Sequence, residues 1–335
     1  MTASDGQPLR YLTAADVATA MPPLDERLRL AERTMVALVH NAELPPKIGV
    51  HPRPSGSFAH AMPAYLRASG SEPADDLLGI KWIAGFPDNR ARGVAAIHGL
   101  VVLNDPATGV PTAILDAGPI TAERTAAVSG VAMALFADAH RRAMRVAILG
   151  AGVQARSHLP VIGSVVPECE VIVFDRHRDR ANTVASVARE TPGVASVSVV
   201  ESAREAARGA DVVVTVASFA PPAERQVMTA DWLSDTALVV AVDYATYVSA
   251  SLARDAALFV VDQREQFFAN RDAGNFDDYP DPHATIGEAV VNGTRRPSRG
   301  RVVVSHLGVG LADLVFGDAI LRRATELGLG TLLPR

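Results

Sequence analysis

Residues 146–158, VAILGAGVQARSH, constrain the fold more than any other stretch of the chain: an apolar, strand-like segment runs directly into Gly150-Ala151-Gly152-Val153-Gln154-Ala155 and then into helix-compatible sequence. This pattern reads as a dinucleotide-binding turn. Gly150 permits the tight turn, Gly152 lets the backbone approach a pyrophosphate, and the small Ala155 allows close helix–strand packing, with the phosphate held by amides at the helix N-terminus. A second apolar run, Val171-Ile172-Val173-Phe174, ends in Asp175, 25 residues after Gly150. An acid at that place can bind the adenosine ribose hydroxyls. Asp175 favours NAD, because a carboxylate repels a ribose 2′-phosphate, while Arg176 and Arg178 can accommodate that phosphate and keep NADP open.

From Arg145 onward strands and helices alternate: strands are expected at 146–149, 171–175, 197–200, 211–216, 237–242 and 258–261, with helices at 153–164, 179–190, 202–207 and 229–233 between them. Such alternation implies a doubly wound parallel sheet of Rossmann type. The preceding sequence has another texture, in which Pro45, Pro46, Pro52, Pro54, Pro63, Pro73 and Pro87 separate short extended pieces such as Leu100-Val101-Val102-Leu103. It predicts a mixed, mostly antiparallel sheet framed by helices near 24–40 and 121–140, the second with Thr121 as cap and Arg124 in its first turn. A helix over 309–327 can return to this first domain, which makes the domain discontinuous. The expected division is therefore 1–125 with 305–335, and 126–304. The Asn- and Pro-containing segment 270–283 reads as a loop, either a lid or a surface connection.

At 335 residues the chain is long enough for two ordinary domains, and a net charge of -5 argues against bulk nucleic-acid or anionic-membrane binding. Cys169 is the only cysteine, which excludes an intrachain disulfide and a cysteine-based zinc site. The nine histidines show no pair at metal-ligand spacing on one helix, so no metal is expected. No apolar run reaches the roughly 18 residues of a membrane span, and the N-terminus lacks a basic stretch followed by an apolar core, which predicts a cytoplasmic protein.

Ligands of open parallel sheets bind beyond the carboxyl ends of the strands. Asp243, directly after the run Leu238–Val242, is such a residue. A carboxylate there can take a proton from a substrate ammonium or activate water, and it can equally cap the following turn. Lys81 lies in the apolar run Leu78–Ile83, where a charge is costly unless it has a partner such as an anionic ligand; the alternative is a lysine snorkelling from an edge strand. Arg124 offers a planar fork for a carboxylate or, alternatively, an intrahelical ion pair. Lys47, after Pro45 and Pro46, is a further candidate and also explicable as surface charge.

The segments GIKWIAGFPDN (79–89), LNDPATGVPTAILDAGPITAERTAA (103–127), ILGAGVQARSH (148–158) and SHLGVGLADL (305–314) together resemble the ornithine cyclodeaminase and mu-crystallin family over nearly the whole chain. The resemblance implies a homodimer whose first domain supplies the substrate pocket and dimer interface and whose Rossmann domain binds NAD or NADP. Position by position, it assigns Lys81 and Arg124 to the substrate carboxylate, with Lys47 near an arginine position of the same role, and Asp243 to general-base work. It assigns Gly150, Ala151, Gly152, Val153, Gln154, Asp175 and Arg176 to the cofactor, with Thr125, Ser218, Leu307 and Gly308 in segments that approach it, and gives Asp313 a structural or indirect part.

The reaction implied first is conversion of L-ornithine to L-proline and ammonia by hydride transfer at the α-carbon. Three departures weigh against that substrate: the acid is followed by Tyr244-Ala245-Thr246-Tyr247 rather than a proline-glycine-lysine turn, His60 stands where ornithine-acting members can carry an acid, and Lys47 replaces an arginine. A ketimine or cyclic-imine reductase or an amino-acid dehydrogenase uses the same chemistry, and a nucleotide-dependent binding protein of mu-crystallin type is a third reading. An ornithine enzyme must also satisfy a second ammonium around His60 and Tyr247.

Overall fold

The computed structural model describes residues 8–70, 72, 75–138 and 143–334. In chain order the elements begin with β1 (Leu9–Leu12), α1 (Ala14–Thr19), α2 (Leu24–His40), β2 (Ala42–Glu43), β3 (Ile48–Val50), β4 (Phe58–Leu66), β5 (Leu77–Gly85), β6 (Ile97–Asn104), β7 (Pro111–Asp116) and α3 (Ala117–Phe136). The chain continues through β8 (Arg145–Leu149), α4 (Val153–Val165), β9 (Cys169–Phe174), α5 (Arg178–Arg189), β10 (Val194–Val199), α6 (Ala203–Ala207), β11 (Val212–Thr215) and β12 (Leu238–Ala241). It ends with α7 (Ala250–Arg254), β13 (Leu258–Val261), α8 (Arg264–Asp272), β14 (Ala284–Thr285), α9 (Ile286–Val291), β15 (Val302–Ser305), α10 (Gly310–Glu326) and β16 (Thr331–Leu333).

These elements fall into two compact units, Met1–Arg124 with Val309–Arg335, and Thr125–Gly308. The second boundary lies four residues beyond the one expected from sequence, after 308 rather than 304. The reason is hydrogen bonding: Ser305 ends a strand of the second unit's sheet, His306 N–H donates to Ala241 O, and Gly308 N–H donates to the Asp262 carboxylate at 2.6 Å.

The first unit carries a mixed sheet in the order β16-β1-β7-β6-β5-β4-β2, with β3 paired to β4. Among the described residues only the β1–β7 pairing of this sheet is parallel. On β5 the side chains alternate between faces, so Gly79, Lys81 and Ile83 are buried while Trp82 is exposed. Helix α10, buried from Gly310 through Gly317, packs on β4, β5 and β6. That packing depends on Gly310, where a Cβ would stand 2.5 Å from the Met62 carbonyl oxygen.

The second unit is a parallel sheet in the order β10-β9-β8-β11-β12-β15-β13-β14. Its central strands β11, β12 and β15 are buried throughout, which accounts for their unbroken apolar runs. The strand order reverses between β8 and β11, where such sheets bind ligands. There the loops touch: Gly150 has φ +113°, and a Cβ on it would lie 2.7 Å from Val216 O.

Several expectations need correction. Helix α3 starts at Ala117, so Thr121 is not its cap and Arg124 is not in its first turn; the expected end at 139–140 lies outside the described residues. Segment 229–233 holds only a 3-10 turn, Ala230–Trp232. The alternation read from sequence stopped at 258–261, yet β15 inserts between β12 and β13, joined by α7, α8, β14 and α9. Segment 270–283 begins inside α8, and its loop is anchored: Phe276 and Tyr279 are buried, and the Tyr279 hydroxyl donates to Val248 O at 2.6 Å.

Candidate functional site

In the first unit β5 places Lys81 on the covered face of the sheet, between β4 and β6 and not at an edge, with 1% of its surface exposed. Its Nζ donates to Thr121 Oγ1 of α3 at 2.8 Å and to Asp313 Oδ1 of α10 at 2.9 Å. Arg124, one turn along α3 from Thr121, donates from Nε to the same Asp313 oxygen at 3.1 Å. The intrahelical pairing weighed for Arg124 does not form; its neighbour Glu123 pairs with Arg27 of α2. Asp313 is thus the hub of the cluster, a structural part of the kind the sequence suggested beside an indirect one.

Two buried cations face one carboxylate, an excess of one positive charge. Burial pushes the Lys81 ammonium down to about 8, with Arg124 and Lys47 acting in the same direction against the attraction of Asp313. Asp313 is held below the ordinary carboxylate range by Arg124 and Lys81 despite its burial. One Lys81 hydrogen and both Arg124 Nη groups take no protein partner among the described residues, which suits this cluster to an anionic ligand.

His60 on β4 lies opposite Gly49 of β3 and stacks on Phe58 with centroids 4.6 Å apart. Burial lowers its imidazole to about 4, and the Lys47 and Lys81 ammonium groups act in the same direction. His60 is therefore neutral near pH 7, in surroundings that repel a further cation.

In the second unit the turn after β8 fits a dinucleotide. Gly150 N–H donates to Phe174 O, a Cβ on Gly152 would meet open space, and no side chain caps α4. Gln154 Oε1 is buried without a partner among the described residues, while the apolar Val153 stands exposed. Asp175, just past β9, accepts from Ala151 N–H and His177 N–H, each at 2.8 Å. Arg176 is exposed, and Arg178 is engaged by Glu201.

Asp243 follows β12 and is 5% exposed. It accepts from Thr215 Oγ1 at 2.6 Å and from Ala217 N–H at 3.1 Å. Burial outweighs these bonds and raises its carboxyl to about 7, where a carboxyl group can both take and return a proton. Tyr244 beside it adopts φ +58°, and Tyr247 is held as a neutral phenol, raised to about 12 by burial and by Asp243 and Asp175.

The sequence matches the ornithine cyclodeaminase/mu-crystallin family over residues 12–326. The chain belongs to this family. It is similar to the nodulation efficiency protein NfeD of Rhizobium meliloti, 34% identical over 97% of this chain and 98% of that protein. The ketimine reductase mu-crystallin of Mus musculus is 31% identical over 77% of this chain and 78% of its own length. Among solved structures, Δ1-pyrroline-2-carboxylate reductase of Thermococcus litoralis, in complex with NADH and L-proline, superposes with a TM-score of 0.83 at 26% identity over 96% of this chain and 99% of that one.

In this member of the family the remaining expected residues divide by environment. Thr125 is buried and its hydroxyl has no partner among the described residues; Leu307 is buried; Gly308 has φ +80°; Ser218 is exposed. Sequence reading took Thr121 for a helix cap and missed Thr215 and Asp262; these three residues hold Lys81, Asp243 and Gly308. Asp262 carried a signal, since it follows an apolar strand as Asp243 does, whereas nothing local marks the two threonines.

Proposed function

We propose that this chain is an NAD-dependent enzyme that exchanges hydride at the α-carbon of a small α-amino or α-imino acid carrying one amino group, as an imine reductase or amino-acid dehydrogenase. The observation that carries this reading is the pair of buried cations, Lys81 and Arg124, sharing one oxygen of Asp313 with positive charge to spare. That excess suits a substrate carboxylate, whose bidentate geometry the unpaired Arg124 donors match. Bound NAD would supply or accept the hydride. Asp243 handles the accompanying proton: it removes one from the substrate ammonium before oxidation of the amine, and returns one to nitrogen in imine reduction. The acid at 175 and the engagement of Arg178 by Glu201 favour NAD over NADP.

Ornithine cyclisation is the second reading. The cationic surroundings of His60 oppose it, because a δ-ammonium needs an acceptor. The test supplies NADH with Δ1-pyrroline-2-carboxylate or with pyruvate and ammonia, and separately L-ornithine with catalytic NAD. NADH oxidation with imines supports the proposal. Proline and ammonia from ornithine without net NADH would replace it with the cyclodeaminase, and cofactor binding without turnover would favour a binding protein.

The proposal includes a homodimer. Ile48 and Trp82 both pair with Ala61, and Trp82 pairs with Leu100, so three exposed apolar side chains line a row across β3–β6. Such a row marks an interaction surface. Trp82→Glu is expected to convert the dimer to monomers in sedimentation velocity; a dimer that persisted would move the interface elsewhere.

A further inference from the structure

A second constellation lies entirely within Thr125–Gly308 and uses none of the proposed reacting groups. Ser129 of α3, His158 of α4 and His306 after β15 are all buried. Ser129 Oγ lies 2.8 Å from His158 Nε2 and 2.8 Å from His306 Nε2, and His158 Nδ1 lies 2.6 Å from Gln154 O.

The direction of every bond in this chain follows from chemistry. A carbonyl oxygen has no proton, so His158 Nδ1 donates to Gln154 O. Burial holds the His158 imidazole down to about 4, so near pH 7 its Nε2 carries a lone pair and accepts from the Ser129 hydroxyl. The serine has one proton, already given to His158, so His306 Nε2 must donate to Ser129 Oγ. The relay runs one way: His306 to Ser129 to His158 to the Gln154 carbonyl.

Its two ends are the segments that matter for the dinucleotide. Gln154 belongs to the first turn of α4, beyond the Gly150–Gly152 turn. His306 leads into Leu307 and Gly308, and the Gly308 N–H is fixed by the buried Asp262. Both ends are therefore tied by buried, charge-assisted or directionally fixed hydrogen bonds, and Ser129 bonds to both imidazoles between them.

We infer that Ser129 is a positioning residue for the cofactor: through His158 and His306 it locks the phosphate-facing turn of α4 to the 306–308 loop, so that the two segments present one preorganised dinucleotide surface. This rests on the cofactor reading proposed above. A hydroxyl is required because it alone accepts from one imidazole while donating to the other; alanine leaves a buried acceptor and a buried donor unmatched, and cysteine keeps the volume but bonds weakly.

The experiment compares wild type, Ser129→Ala and Ser129→Cys. The first readout is NADH affinity from fluorescence titration, the second the imidazole 15N shifts of 15N-histidine-labelled protein. The wild type is expected to show His158 protonated at Nδ1 and His306 at Nε2. Both variants are expected to lose the fixed Nε2 protonation of His306, with His158 still protonated at Nδ1 by its bond to Gln154 O, and to bind NADH at least about ten-fold more weakly, a change a buried unpaired group can produce, while kcat at saturating NADH stays near wild type. Wild-type affinity in a folded variant, or a His306 unprotonated at Nε2, overturns the inference. If Ser129→Ala does not fold, the near-isosteric cysteine variant decides. A wild-type protein that shows the 15N pattern yet binds no NADH overturns the cofactor reading itself, and the positioning role with it.

Discussion

Asp243→Asn is expected to lower kcat by about 10²–10⁴-fold, the contribution of a positioned proton-transfer group, with NADH affinity left near wild type. The amide preserves the local bonding: its oxygen can accept from Ala217 N–H, and the Thr215 hydroxyl can turn to accept from its nitrogen, so the loop keeps its shape. What is lost is the ionisable group. Burial raises that carboxyl from 3.8 to about 7, so turnover in the amine-oxidising direction should rise as the group ionises through about pH 7. Stability of the cofactor-free protein should move the opposite way. Between pH 3.8 and about 7 the folded chain holds a proton on Asp243 that the unfolded chain releases, so stability falls as pH rises across that window and levels off above it. The asparagine variant should lack this component of the pH slope. Steady-state kinetics with parallel urea unfolding at several pH values checks both, and turnover at the wild-type rate would remove Asp243 from the chemistry.

The second large effect is on stability. Asp313→Asn is expected to destabilise the protein by about 3–5 kcal/mol, the cost of leaving a buried ion pair without one partner. Lys81 and Arg124 would face each other in the core of the first unit with no compensating negative charge. The loss should be partly recovered by a small carboxylate such as acetate, because an anion that binds only the folded state adds stability by mass action. Urea midpoints with and without acetate measure this. An unfolding curve that superposed on wild type would mean that the cations are already neutralised without Asp313, and the assignment of this cluster to a substrate carboxylate would fail.

Both variants show where sequence and structure part. The turn at 150–155 and the acid at 175 were legible because their geometry is local: φ +113° at Gly150 and the backbone amides that hold Asp175 arise within one β-turn-α unit and its neighbouring strand. Asp243 was legible as the polar residue ending an apolar strand. The doubly wound sheet followed from alternation, although its far half, with β15 inserted between β12 and β13, did not, since strand order depends on crossovers that leave no local periodicity. Lys81 and Arg124 were singled out as charges in costly or suggestive places, but not their company. Asp313, 232 residues after Lys81, and the Ser129–His158–His306 relay are brought together only by folding.

The sequence by itself determined the main secondary-structure periods, the glycine turn after β8, the family and the residue types proposed for the chemistry, because these depend on neighbours a few positions apart. The tertiary structure decided which charges are buried, which one neutralises which, and where the carboxyl of Asp243 titrates. Burial and pairing are properties of groups that meet across the fold, and the low-dielectric interior makes their energies large only once they have met.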